Sequence, residues 1–260
     1  MAVRRVLGVI PARLGSERLP RKPLHRLAGR PLIEWVWRRV AGFGVLDNVV
    51  IATDAQEVAD VCSAMGANVV LTSGSHRSGT DRVAEVASRE PYAGYDVIVN
   101  VQGDEPFLDE AHVSAAARLV LDGWEVGTIA TPLLEPEAWR NPAVVKVVRR
   151  ADGAALYFSR APIPYRRDGE PTSSDLASAP YLRHMGVYAY APDALRRWVS
   201  LPESGLERIE KLEQLRALEA GIRIGVAMVD AAAPGVDTPE DAVRAETILK
   251  ADVSKHSPRW

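Results

Sequence analysis

The chain has 260 residues, of which 47% are hydrophobic and 25% charged, and its formal net charge is -2 at pH 7. These values are ordinary for a globular protein and argue against general nucleic-acid binding, which requires a strongly basic surface. The single cysteine, Cys62, excludes an intrachain disulfide and a thiolate metal cluster, and no apolar run approaches the ~18 residues of a membrane span. We therefore expect a cytoplasmic protein with no nucleic-acid partner and no membrane insertion.

Residues 1–124 alternate between short apolar runs and amphipathic segments. Strands are predicted at 6–10, 48–53, 68–71 and 96–101. Helices are predicted at 31–40, 55–65, 81–89 and 109–121. Asp54 and Glu57 have the spacing of a capping box for the second helix. Strands that alternate with helices in this way indicate a parallel sheet with helices on both faces.

The order of predicted elements changes after residue 125. Strands are predicted at 126–131, 143–149, 154–159, 184–190 and 222–229, and helices at 192–200, 206–220 and from 239 onward. The polar segment 160–180, rich in Pro and Ser, is expected to form an exposed loop. The predicted fold class is α/β, with a mixed, mostly parallel sheet sandwiched by helices and an antiparallel insertion in the second half.

A basic loop follows the first predicted strand and contains Arg13, Arg18, Arg21 and Lys22. The first strand-to-helix crossover of an open α/β sheet is a usual ligand position, and the cations suggest an anionic ligand. Neither the GxxxxGK[ST] nor the GxGxxG spacing is present, so the loop is not a P-loop or a dinucleotide fingerprint. The hypothesis is a nucleoside triphosphate held for attack at its α-phosphorus; the alternative is a solvated surface loop.

Two acidic residues follow other predicted strands and could share a metal ion. Asp104 lies in the stretch 102–106, and Asp237 precedes Thr238, which is expected to cap the last helix. Two acids at two crossover loops suit Mg²⁺, which takes few protein ligands together with phosphate oxygens. The competing interpretations are a turn at Asp104 and ordinary capping chemistry at Asp237.

Further polar residues form three weaker patterns. Ser78, Gly79 and Arg82 lie at a loop-to-helix junction suited to phosphate or nucleobase contacts, or simply to a helix cap. The second half of the chain offers five polar residues: Arg160, His184, Tyr188, Glu210 and Gln214. We expect Glu210 and Gln214 to share a helix face, and we expect His184 and Tyr188 to share a strand face. The remaining histidines, His25, His76, His112 and His256, show no ligand spacing and are expected at the surface, whereas Cys62 is expected to be packed.

Taken in order, short motifs along nearly the whole chain resemble the 3-deoxy-manno-octulosonate cytidylyltransferases, the CMP-Kdo synthetase family. The motifs are Pro11-Ala12-Arg13, Arg18-Leu19-Pro20, Lys22-Pro23-Leu24, Ala52-Thr53-Asp54, Ser78-Gly79-Thr80-Asp81-Arg82, Asn100-Val101-Gln102-Gly103-Asp104-Glu105-Pro106, Val145-Lys146-Val147-Val148, Ala155 to Arg160, Arg183-His184 with Gly186 and Tyr188, Ile209-Glu210 with Leu212 to Arg216, and Gly235 to Asp241.

The resemblance implies a nucleotide-diphospho-sugar transferase fold and a Mg²⁺-dependent reaction of CTP with 3-deoxy-D-manno-octulosonate (Kdo), for lipopolysaccharide or related glycan synthesis. It implies a single domain with three parts: a nucleotide-binding part at about 1–124, a sugar-acid and dimerisation part at about 125–230, and a metal-ligand loop with a closing helix at 231–252. The implied catalytic residues are Arg13, Lys22, Asp104 and Asp237, the two acids being the metal ligands. The implied nucleotide contacts are Pro11, Ala12, Arg13, Lys22, Ser78, Gly79, Arg82 and Gln102, and the implied sugar-acid contacts are Gln102, Arg160, His184, Tyr188, Glu210 and Gln214. The implied assembly is a homodimer.

The sequence departs from the family pattern in loops near the expected substrates. Gly15-Ser16-Glu17 replaces the usual small-residue pattern, Arg21 stands where glycine is common, and 166–180 aligns with nothing in the pattern. A close Kdo analogue, such as an amino-substituted one, is therefore an alternative sugar acid. A nucleotidyltransferase that uses UTP or GTP and a nucleotide-binding protein without turnover are two further candidates.

Overall fold

The computed structural model describes residues 4–15, 18–177, 180–230 and 235–255. The strands are β1 Val6–Pro11, β2 Arg26–Leu27, β3 Arg30–Pro31, β4 Asn48–Thr53, β5 Asn68–Leu71, β6 Val97–Asn100, β7 Val126–Pro132, β8 Lys146–Arg149, β9 Ala155–Ser159, β10 Leu182–Tyr190 and β11 Ile224–Met228. The helices are α1 Leu32–Val40, α2 Gln56–Ala64, α3 Gly79–Ser88, α4 Glu110–Leu121, α5 Pro136–Arg140, α6 Ser173–Ala177, α7 Pro192–Ser200, α8 Gly205–Glu210, α9 Gln214–Glu219 and α10 Pro239–Lys255.

The chain divides into two compact units. The described residues of the N-terminal unit fall within Arg5–Gly94, Asn100–Glu110 and Ala232–Trp260, and those of the central unit within Met1–Arg4, Tyr95–Val99 and Ala111–Ala231. None of the helices in the described ranges has the length and apolar character needed to cross a bilayer.

The N-terminal unit is built on parallel strands. β4 pairs in parallel with β1 on one side and with β5 on the other. Nearly every residue of β1 and β4 is buried, as expected for strands covered on both faces. α1 buries Leu32, Ile33, Val36 and Val40, the helical face that the apolar spacing predicts. The predicted strand-helix alternation is therefore confirmed in this unit.

The central unit contains the antiparallel strands. β10 pairs antiparallel with β7 and β8, β8 pairs antiparallel with β9, and β11 pairs in parallel with β7. Gly127 in β7 permits close packing of α4, because a Cβ at this position would lie 2.2 Å from the carbonyl oxygen of Ala116. The predicted α/β class with an antiparallel addition in the second half is confirmed.

The prediction of one continuous helix at 206–220 is wrong, because the structure has two helices there. α8 ends at Glu210, Lys211 adopts a left-handed conformation with φ 53°, and α9 begins at Gln214. Glu210 and Gln214 therefore do not share one helix face, because the turn at Lys211 interrupts the i to i+4 relation. The segment 160–180 is also not wholly a loop: it contains α6, whose Leu176 packs with Leu133 and Trp139 in a small buried cluster.

Two smaller expectations are also wrong. Asp54 does not cap α2, because the N-cap position is Ala55, and the Asp54 carboxylate instead accepts a hydrogen bond from Arg82. His112 is buried rather than exposed, and its Nε2 lies 3.1 Å from the carbonyl oxygen of Asp230. Cys62 is fully buried, as predicted. His256 lies outside the described residues.

Candidate active site

A cleft of about 790 Å³ lies in the N-terminal unit, where the loops after β1 and β6 meet the start of α3 and the loop before α10. Its lining is formed by Pro11, Ala12, Arg13, Gly15, Arg18, Lys22, Pro23, Ser78, Gly79, Arg82, Gln102, Gly103, Asp104 and Asp237. Every residue predicted from the sequence to be catalytic or nucleotide-binding is in this lining. The structure thus brings that whole group together, while the role of each residue stays a prediction.

Lys22 joins the two predicted metal ligands. Its Nζ donates to Asp237 Oδ1 at 2.7 Å and to Asp104 Oδ2, so one ammonium bridges two carboxylates. The Lys22 side chain is only 14% exposed, against 29% for Asp104 and 47% for Asp237. Arg18 adds a second cation, with Nη2 3.3 Å from Asp237 Oδ1. Three loops that are distant in sequence therefore converge on one charged cluster.

Backbone contacts hold the loops of Asp104 and Asp237 together. The Val236 N–H donates to the carbonyl oxygen of Asp104 at 2.8 Å. Gly235 permits this approach, since a Cβ there would lie 3.1 Å from the same oxygen. Both residues directly precede Asp237, so the separation of the two acids is set by main chain and not by flexible side chains alone.

Asp237 does not play the capping role that its position before Thr238 also suggested. The cap of α10 is made by Thr238 and Asp241: Thr238 Oγ1 accepts from Asp241 N at 3.2 Å, and the Asp241 carboxylate accepts from the N–H groups of Asp237 and Thr238. Burial raises the pKa of Asp241, but these hydrogen bonds and one from Arg244 outweigh that effect and lower the pKa overall. The side chain of Asp237 is thus directed to Lys22 and Arg18.

The loop after β6 crosses very close to the end of β1. Val101 N donates to the carbonyl oxygen of Val9 at 2.9 Å, which aligns the start of this loop with β1. At Gly103 a Cβ would lie 2.8 Å from the carbonyl oxygen of Pro11. Only glycine fits here without a backbone shift, and the close crossing places Asp104 beside the basic loop.

The start of α3 forms another wall of the cleft. Ser78 is its N-cap and accepts from Asp81 N, and the Asp81 carboxylate accepts from Ser78 N, which completes a capping box. Arg82 is 3% exposed, and its guanidinium donates to Asp54 Oδ2 at 2.9 Å and to Thr72 Oγ1. Arg82 is therefore anchored by the residues that follow β4 and β5, at the edge of the cleft that it lines.

The sugar-acid residues predicted in the second half lie in the central unit, and two of them form one network. The Glu210 carboxylate accepts from Ser159 Oγ at 2.5 Å and from Arg160 N at 2.9 Å. Arg160 Nε donates in return to the carbonyl oxygen of Glu210 at 2.8 Å. Gln214 is buried at the first position of α9, across the turn from Glu210. Gln102, the remaining predicted sugar-acid contact, lies in the N-terminal unit.

Lys146 supports this network, and the sequence motifs assigned it no role. It is fully buried, and its Nζ donates to the carbonyl oxygens of Asn141, Val144 and Arg160 at 2.6–3.0 Å. Burial lowers the pKa of Lys146, and the nearby Glu210 carboxylate offsets this effect only in part. The signal that could have identified it is a lysine inside the apolar run Val144-Val145-Lys146-Val147-Val148, because a charge in a buried strand requires dedicated partners.

His184 and Tyr188 are in contact, with ring centroids 5.4 Å apart. Thr128 Oγ1 lies 2.8 Å from the carbonyl oxygen of Val187, which can only accept, and 3.0 Å from His184 Nε2. This pair of contacts favours the Nε2–H tautomer of His184, in which Nδ1 is an acceptor. Burial lowers the pKa of His184 to about 3, so the ring is neutral at physiological pH.

The Tyr188 hydroxyl has no hydrogen-bond partner within the described parts of the chain, although it is buried. Burial raises the pKa of Tyr188 well above 10, so the group is a neutral donor and acceptor. A buried hydroxyl without a partner costs free energy unless something else satisfies it. Together, Tyr188 and His184 offer uncharged hydrogen-bonding groups.

The fold and the cleft define an α/β protein with a cleft beyond the carboxyl ends of parallel strands, lined by cationic side chains that suit an anionic ligand. The family model described as Cytidylyltransferase matches residues 7–224. A 3-deoxy-manno-octulosonate cytidylyltransferase from Gemmatimonas aurantiaca is 51% identical over 245 residues, covering 93% of each chain. One from Syntrophotalea carbinolica is 47% identical over 249 residues, covering 94% of this chain and 98% of that protein.

Among solved structures, a CMP:2-keto-3-deoxy-manno-octonic acid synthetase complexed with CTP superposes with a TM-score of 0.87 at 38% identity, over 95% of this chain and 99% of the other. The chain belongs to the 3-deoxy-manno-octulosonate cytidylyltransferase family of nucleotidyltransferase enzymes. A 4-diphosphocytidyl-2C-methyl-D-erythritol synthase shares the fold, with a TM-score of 0.63 at 15% identity over 96% of this chain and 100% of the other. The family resemblance and the fold class predicted from the motifs are confirmed.

Proposed function

We propose that this protein transfers the cytidylyl group of CTP to 3-deoxy-D-manno-octulosonate, giving CMP-Kdo and pyrophosphate. The observation that carries the proposal is the cleft in which the basic loop, the α3 N-terminus, Asp104 and Asp237 meet. The relatives that bear this activity in their names support it, as does the CTP in the complex of the similar solved structure.

In the proposed reaction the anomeric hydroxyl oxygen of the sugar acid attacks the α-phosphorus of CTP in line. A bond forms between this oxygen and phosphorus, the bond from phosphorus to the β-phosphate oxygen breaks, and pyrophosphate leaves with the electron pair. The hydroxyl proton passes to solvent. No enzyme nucleophile is needed, so catalysis consists of positioning and charge stabilisation.

Positive charge in the cleft would hold the triphosphate. Arg13 and Arg18 are exposed in the lining, and the mostly buried Lys22 side chain lines the same cleft. Charge-assisted hydrogen bonds of this kind contribute about 1.5–3 kcal/mol each. The N-terminus of α3, at Ser78 and Gly79, lies at the same cleft, and its helix dipole favours an anion.

The two acids suit a Mg²⁺ ion. Their joint contact with Lys22 supports a site at which both acids would share one cation. Within the ranges that the structure describes, no group of three or more His, Cys, Asp or Glu side chains is arranged to hold a metal. Two carboxylates with room for phosphate oxygens and water match the preference of Mg²⁺. Asp104 and Asp237 would hold the ion, which when bound would act as a Lewis acid toward the phosphate oxygens.

The central unit would supply the sugar-acid contacts. The guanidinium of Arg160 suits a carboxylate, and His184 Nδ1 and the Tyr188 hydroxyl suit sugar hydroxyls. His184 is a weak base with a pKa of about 3 and would orient the substrate rather than remove a proton at neutral pH. Glu210 and Gln214 would add further contacts from the same unit. We also propose that the protein is a cytoplasmic homodimer and that it serves lipopolysaccharide synthesis. Sedimentation analysis would test the dimer.

The deciding experiment measures pyrophosphate release with Mg²⁺ for CTP, UTP and GTP, each against Kdo, amino-substituted Kdo and a nonulosonic acid. We expect turnover with CTP and Kdo that EDTA abolishes. Asp237→Ala should lower kcat by about 10²-fold or more, judged by the loss of single electrostatic contacts in other enzymes. Asp60→Ala, an exposed aspartate on α2, is the matched control and should retain full activity. No turnover with any pair, or an Asp237→Ala variant that releases pyrophosphate normally, would contradict the assignment.

A further inference from the structure

The Lys22 ammonium lies where a divalent cation would have to bind. Its Nζ is within hydrogen-bond distance of one oxygen of Asp104 and one of Asp237. A cation shared by these carboxylates would need the same space between them. A cation held by the two oxygens that Lys22 contacts would displace the ammonium from at least one of them.

The charges of the cluster lead to the same conclusion. The two carboxylates carry two negative charges, and Lys22 and Arg18 contribute two positive charges. The pair of acids is thus already neutralised. Because the Lys22 side chain is only 14% exposed, its attraction to the acids is less screened than that of a surface ion pair. Arg18 is 69% exposed and contributes less.

Resting on the proposed function, we propose that Lys22 is a placeholder that blocks cation binding at Asp104 and Asp237 until a nucleoside triphosphate draws its ammonium away. The lysine head is a compact charge on a flexible four-carbon stem, so it can exchange carboxylates for phosphates without a backbone change. The phosphates would bind in the cleft that Lys22 already lines. The cation then enters with the nucleotide, and metal and nucleotide affinities are coupled, typically by about 5- to 150-fold.

The probe is Mn²⁺ alone, titrated into the 260-residue protein without nucleotide or sugar acid. The electron paramagnetic resonance signal of free Mn²⁺ reports how much of the ion is bound. Lys22→Met removes the charge but keeps an unbranched chain, and it should bind Mn²⁺ at least about tenfold more tightly than the wild type, a change within the usual range of such coupling. Mg²⁺ should compete for the same site. Lys250→Met removes an exposed lysine paired with Glu246 and should behave as the wild type. The double variant Lys22→Met with Asp104→Asn should lose the gain.

Thermal unfolding supplies a second readout, which also shows whether each variant is folded. Mn²⁺ should raise the melting temperature of Lys22→Met and leave that of the wild type almost unchanged. Lys22→Gln, which keeps a neutral hydrogen-bond donor, should show the same contrast if the methionine variant does not fold. Equal Mn²⁺ affinity in the wild type and in the folded Lys22 variants would refute the proposal that Lys22 blocks cation binding. If the Mn²⁺ affinities are equal but the wild type turns over CTP and Kdo, the proposed function stands and only the role of Lys22 is refuted. If the wild type does not turn over CTP and Kdo, the proposed function itself is contradicted.

Discussion

Gly103→Ala should damage the cleft through a backbone contact alone. The new Cβ would lie 2.8 Å from the carbonyl oxygen of Pro11, while ordinary contact begins at 3.4 Å, so the two chains must separate by the difference of these distances, about 0.6 Å. Overpacking of this kind costs about 1–3 kcal/mol. For a chain of this size we expect the melting temperature to fall by about 2–4 °C for each kcal/mol.

The same displacement would move Asp104 relative to the loop that follows β1. A misplacement of about 1 Å can lower a rate about 10²-fold, so we expect kcat of the folded variant to fall by about 10- to 100-fold. The assays are thermal unfolding and pyrophosphate release with CTP and Kdo. Gly42→Ala is the matched control, because its Cβ would meet only the carbonyl oxygen of Arg39 at an ordinary 3.6 Å. Wild-type stability and turnover in Gly103→Ala would refute the close-crossing argument.

Two further variants test the central unit. Burial lowers the pKa of His184 from 6.5 to about 3. Between these pH values the unfolded chain binds a proton that the folded protein does not. The free energy of unfolding should therefore fall as the pH falls through this window, by up to about 3 kcal/mol at pH 4. In urea unfolding at pH 7, 5 and 4, His184→Asn should lose less stability than the wild type on acidification; parallel losses would contradict the burial argument. Lys146→Met leaves three carbonyl groups without their buried donor and should cost about 2–4 kcal/mol in denaturant unfolding. It should also raise the KM for the sugar acid more than the KM for CTP, because Arg160 loses its support; equal changes in the two KM values would show that Lys146 is structural only.

The sequence predicted the regular elements well because their signals are local. The bounds of β4, β5 and α7 follow directly from apolar runs and a proline at the helix start. The order of these elements identified the α/β class, and the motifs identified the family. Helix capping was less reliable: Ser78 caps α3 as its residue type allows, but the Asp54 side chain contacts Arg82 and does not cap α2.

Tertiary structure alone decided which of these residues meet. Lys22 is 82 residues from Asp104 and 215 from Asp237, and no local pattern specifies that one ammonium bridges both. The break at Lys211 likewise separates Glu210 from Gln214, although the spacing alone favours one helix. Periodicity reports which face of an element is buried, whereas the partners of a loop side chain depend on where the folded chain places the other loops. The residue types of the cleft were therefore readable in the sequence, but the charged cluster around Lys22 was not.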